Sequence, residues 1–167
     1  MKNFIKNTAL LLTGAIAGAG GSVMMNYQNI FKEKDDKLIQ QQRRAGRNAA
    51  IIDVMAQWLQ LKQEGRSLAD YFEKKGYNRI AIYGMHYLGE ALYRELKNTN
   101  IEVRYAIDKN AGKIVCEIPC IDMNGTLERV DAIVVTPVFH YFEIEDELSG
   151  KVDYPIISIE DVIFDMQ

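Results

Sequence analysis

The stretch 79–96 (RIAIYGMHYLGEALYREL) constrains the fold more than any other part of this chain. A run of β-formers, 79–83, leads straight into Gly84 and Gly89, and Leu88, Leu92, Tyr93 and Leu96 then recur at helical spacing, with the helix expected over 90–97. Strand, glycine turn and helix together open a βαβ unit. The pattern continues downstream. A second strand is expected over 101–107, a short third over 119–121, a buried fourth over 131–135 and a fifth over 155–159, with helices over 141–148 and 160–164. Strands that alternate with helices predict an α/β domain on a small, doubly wound, mostly parallel sheet of four to five strands.

In such a sheet, ligands sit at the carboxyl ends of the strands, where helix N-termini and bare amides can meet an anion. The dinucleotide fingerprint uses one glycine for the tight turn, a second for the approach of the pyrophosphate and a third for helix–strand packing. Gly84 and Gly89 fill the first and third places, and His86 stands in the second, so the motif is G-x4-G. The candidate binding loop is therefore Gly84, Met85, His86, Tyr87, Leu88 and Gly89. Both glycines also fit a purely structural turn, and His86 either blocks or tolerates a ligand or presents its imidazole to one. Asp108 ends the second strand, where a carboxylate commonly accepts bonds from ribose hydroxyls, and Lys109 follows it. The same Asp also suits the start of the turn 108–112. Thr136, followed by Pro137 at the end of the fourth strand, faces the same crevice. Tyr93 and Lys97 match the spacing of a reductase Tyr/Lys pair but fall in the first helix, which makes them surface or packing residues. No catalytic residue is assigned.

Charge divides the chain. Residues 1–66 carry ten Lys/Arg against five Asp/Glu, and residues 67–167 carry ten against eighteen. A folded half so acidic is a poor match to nucleic acid, which calls for a concentrated basic face. Two cysteines spaced C-x3-C, Cys116 and Cys120, with only two histidines in the chain, fit neither a disulfide framework nor a common zinc pattern, so no metal site is expected.

Within the basic part, 25 uncharged residues, 7–31, separate Lys6 from Lys32. As a helix they would extend roughly 37 Å, beyond the ~30 Å of a hydrocarbon core, so 8–25 is read as a membrane anchor. A cleaved secretory signal and a peripheral segment are the other two readings. The basic residues that follow place the folded domain on the cytoplasmic side of a single-pass arrangement. Gly14 and Gly18 form a small-residue stripe suited to self-association in lipid. From 35 to 64 no proline occurs, and Ala45, Ala49, Ile52, Met55, Ala56 and Leu59 recur three and four apart, which predicts a long amphipathic helix with Trp58 and Leu61 at a contact. This helix is a second candidate homodimer element. Gly65 should end it, and Ser67 with Asp70 should cap a short helix that stops at Gly76. The expected organisation is an anchor and flank (1–34), a helical stalk (35–66) and the α/β domain (67–167).

The motifs IAIYGMHYLGEAL, YAIDKNAGK, EIPCID, DAIVVTP and PIISIEDVI give 79–163 a resemblance to small Rossmann-like domains of bacterial surface-polysaccharide proteins. Those domains bind nucleotide-sugars, CoA-type ligands or NAD(P). The resemblance implies a membrane-tethered accessory module that binds a nucleotide or nucleotide-sugar, with NAD(P) as a possible cofactor. A ligand-free scaffold protein is the first alternative. A small NAD(P)-dependent oxidoreductase is the second, although the chain offers no second domain to hold its substrate.

Overall fold

The structure is a computed structural model that describes residues 2–167, with side chains from residue 32 onward. Helix α1 (Lys2–Gln63) is followed by α2 (Leu68–Lys75), β1 (Arg79–Tyr83), α3 (Tyr87–Leu96), β2 (Glu102–Ile107) and β3 (Cys120–Ile121). After these come β4 (Ala132–Val135), α4 (Tyr141–Ser149), β5 (Ile156–Ser158) and α5 (Ile159–Phe164). The five strands form one sheet in the order β3-β2-β1-β4-β5, and every neighbouring pair is parallel. The sheet is thus wholly parallel, where a mostly parallel one was expected. The order reverses between β1 and β4, so the crevice at their carboxyl ends is the switch point at which ligands of open α/β sheets bind.

Alternation along the strands builds two cores. Ile80, Ile82, Ala106, Ala132 and Val134 face one side, under α2, α3, α5 and the last turns of α1. Ala81, Tyr83, Tyr105, Ile107, Ile133 and Val135 face the other, under α4 and the loop carrying Met123 and Val130. A strand buried on both faces reads as a continuous apolar run, which is why β1 and β4 stand out in the sequence. Asp131, expected within the fourth strand, precedes it, and its Oδ2 accepts the amides of Asn78 (2.9 Å) and Arg79 (2.7 Å) at the start of β1.

By its contacts the chain divides into two units, Met1–Gly46 and Arg47–Gln167. The end of α1 packs with the α/β domain. Val54, Trp58 and Leu61 are buried in the core. Trp58 and Leu61 make the contact anticipated for them, but the packing stripe is not the recurrent one. Ala45, Ala49, Ile52, Met55, Ala56 and Leu59 are all exposed. Both stripes have helical spacing and lie about 100° apart, one residue's rotation. The buried stripe includes Trp58, whose indole N–H also reaches Glu95 of α3 at 2.7 Å.

Gly65, at φ +76°, closes α1, and Ser67 and Asp70 form the expected capping box before α2, which stops at Gly76 in the left-handed conformation. Among the described residues no helix is long and apolar enough to cross a membrane. The segment 8–25 and the Gly14/Gly18 stripe lie outside the residues whose side chains are described.

Candidate functional site

The switch-point crevice is built by the residues that end β1, β2 and β4. Gly84 has φ +89°, a conformation that a β-carbon penalises. A Cβ there would also lie 2.8 Å from Cγ and Cδ of Pro137. Gly89 is required for a different reason: its Cβ would lie 2.0 Å from the Gly84 carbonyl oxygen, so the helix can start only where this residue has no side chain. α3 begins at Tyr87 rather than at 90, which makes Tyr87, Leu88 and Gly89 its first turn.

A hydrogen-bond network ties the loop together. Asp108 accepts the Met85 amide on Oδ2 (3.0 Å) and the Asn110 amide on Oδ1 (2.8 Å). The buried Thr136 hydroxyl donates to the Gly84 carbonyl at 2.7 Å and lies 3.1 Å from the Tyr83 carbonyl. Thr136→Val should cost about 1–3 kcal/mol in chemical denaturation, because the Gly84 carbonyl loses its hydroxyl donor inside the domain. An unchanged midpoint would show that the backbone turn holds without it.

Pro137, seated on Gly84, separates the crevice into two cavities. The larger, about 370 Å³, is lined by Tyr83, Gly84, Asp108, Lys109 and the α4 residues Glu143 and Glu147, with Pro137 and His140 on its dividing side. The smaller, about 160 Å³, is lined by Gly84, His86, Tyr87, Leu88 and Thr136 together with Arg47 and Ile51 of α1 and the 137–140 segment. The predicted residues are thus brought together, with two exceptions. The Met85 side chain is buried in the core and contributes to this site through its backbone, and Gly89 serves packing alone. His86 is exposed and its ring meets that of Tyr87 edge-on, with centroids 3.9 Å apart.

The sequence reading did not include Tyr83, Glu143, Glu147 or Arg47. Tyr83 is 4% exposed, and among the described residues its hydroxyl has no hydrogen-bond partner. Burial, reinforced by the charges of Glu147, Asp108 and Asp122, pushes its pKa up to about 12, so the phenol stays protonated and able to donate. Lys109 is engaged 3.8 Å from Glu147, and His140 Nδ1 lies 3.0 Å from Glu143.

The loop as built does not suit the pyrophosphate of a dinucleotide. The second glycine is His86, the Met85 amide is already bound to a carboxylate, and Pro137 stands on the turn. Among the described residues no cluster of three or more His, Cys, Asp or Glu could hold a metal. No protein-family model, no curated protein and no solved structure matches the chain.

Proposed function

We propose that the α/β domain is a Rossmann-like module that binds the nucleoside or sugar portion of a nucleotide or nucleotide-sugar in the larger cavity. The observation that carries this reading is the set of three carboxylates, Asp108, Glu143 and Glu147, around one cavity at the switch point. Asp108, Glu143 and Glu147 accept hydrogen bonds from hydroxyls and repel phosphate, so a ribose or hexose fits inside with its phosphates outside. The volume falls at the lower end of the ~300–1,000 Å³ typical of ligand pockets.

Around this centre the module is proposed to be held at a membrane by 8–25, with the domain on the cytoplasmic side, and to serve bacterial surface-polysaccharide assembly as an accessory protein. The length of the uncharged segment supports the anchor, and the motifs of 79–163 support the pathway. The exposed stripe of Ile52, Met55 and Leu59 supports self-association along α1. A ligand-free scaffold is the second reading, favoured by the exposed aromatics Tyr87, Phe139 and Phe142 near the crevice.

Calorimetric titration of the full chain with UDP-sugars, NAD(H), NADP(H) and acyl-CoA separates the two. Binding of a nucleotide-sugar is expected. Glu143→Ala should weaken it about tenfold, the loss of one good hydrogen bond, while leaving stability nearly unchanged because this side chain is exposed. Silence across the panel would leave the scaffold reading standing.

A further inference from the structure

The smaller cavity plays no part in the proposed nucleotide site and has a different chemistry. Ile51, Leu88, Pro137, Val138 and Phe139 make its walls largely apolar, and Arg47 stands among them as a fixed charge. Arg47 is half-buried and, among the described residues, makes no ion pair or hydrogen bond. A guanidinium drawn partly out of water beside apolar walls loses hydration, and only an anion with hydrogen-bond acceptors restores what it lost. The α3 N-terminus adds to this demand, since His86 makes no capping bond to the first-turn amides. The volume, about 160 Å³, is close to that of an engineered apolar cavity of about 150 Å³ that takes up benzene.

We propose that this cavity is a second binding site, for a compact amphipathic anion: a carboxylate or phosphate monoester on an apolar body about the size of a benzene ring. The apolar body fills the space between Ile51 and Val138, and the anion pairs with Arg47. The site depends on α1 as well as on the switch-point elements, because Arg47 and Ile51 of α1 line it. It does not rest on the nucleotide reading, which concerns the other side of Pro137.

The test is an NMR titration of the full chain with four probes: benzoate, phenyl phosphate, benzyl alcohol and acetate. Saturable shifts at the amides of Leu88, Val138 and Phe139 are expected with benzoate or phenyl phosphate, and whichever of the two binds more tightly identifies the head group. Benzyl alcohol should bind at least about tenfold more weakly, and acetate should shift nothing, because each lacks one half of the ligand. Arg47→Met, which keeps the apolar stem, should bring the anions down to the level of benzyl alcohol. Ile51→Trp should fill the space and abolish binding of every probe, with the spectrum of the β-sheet preserved. The proposal is overturned if benzyl alcohol binds as well as the anions, if acetate binds as well as benzoate, if Arg47→Met leaves anion affinity unchanged, or if no probe shifts these amides.

Discussion

Gly89→Ala is expected to destabilise the α/β domain by about 3 kcal/mol or more, a large share of the ~5–15 kcal/mol that holds a domain folded. Within a helix the same substitution ordinarily gains up to about 1 kcal/mol, so the sign alone is diagnostic. The reason is local. The added methyl would lie 2.0 Å from the Gly84 carbonyl oxygen, a backbone atom that cannot rotate away as a side chain would. Relief requires α3 to move off β1, which opens the core around Ile82 and Leu92. Gly46 is the contrasting case: it is helical, nothing lies within 4 Å of its Cβ position, and Gly46→Ala should stabilise its helix. Urea denaturation measures the domain effect. A Gly89→Ala midpoint equal to that of the unmodified chain would mean that the helix is seated further from the turn than described.

Glu95→Ala should cost about 3–5 kcal/mol, the usual penalty for stranding the partners of a buried charge. The Glu95 side chain is 9% exposed and joins three helices. It accepts the Trp58 indole N–H at 2.7 Å and Lys62 Nζ at 3.0 Å from α1. It also accepts the Ser67 hydroxyl at 3.2 Å and the Leu68 amide at 2.7 Å, where α2 begins. Lys62 can return to water when the carboxylate is removed. The indole N–H and the Leu68 amide cannot do so as readily, because Trp58 and Leu68 are buried. Glu95→Gln keeps one acceptor oxygen and should lose less. Loss of stability accompanied by a red shift of Trp58 fluorescence would locate the damage at the α1 contact. An unchanged Trp58 environment would contradict the role of Glu95 in holding α1 to the domain.

The sheet was legible because its central strands are buried on both faces, so 80–83 and 132–135 appear as unbroken apolar runs, the first of them beside a glycine turn. The edge was less so. β3 is two residues long and pairs only through Cys120 and Ile121, too little for periodicity to delimit. Within the site, Gly84, Asp108 and Thr136 were legible by their positions at strand ends, which the topology brings together. Tyr83 could have been found by alternation: Ile82 points to the α3 side, so its neighbour must point to the α4 side, beneath the crevice. Arg47 carries no such signal. It reaches the crevice only because α1 packs through Val54, Trp58 and Leu61, one of two stripes of equal periodicity. The dual use of Asp108 was anticipated only in part. Its bond to Asn110 makes the expected turn, while its bond to Met85 spans 23 residues and depends on β1 and β2 being neighbours.

The most direct test of the central claim is an NMR titration of the isotope-labelled full chain, in detergent micelles, with UDP-sugars and the corresponding free nucleosides. Saturable shifts are expected at Tyr83, Asp108, Lys109, Glu143 and Glu147, around the acidic cavity, with Glu143→Ala weakening the response. Shifts confined to other surfaces, or none with any member of the panel, would contradict it.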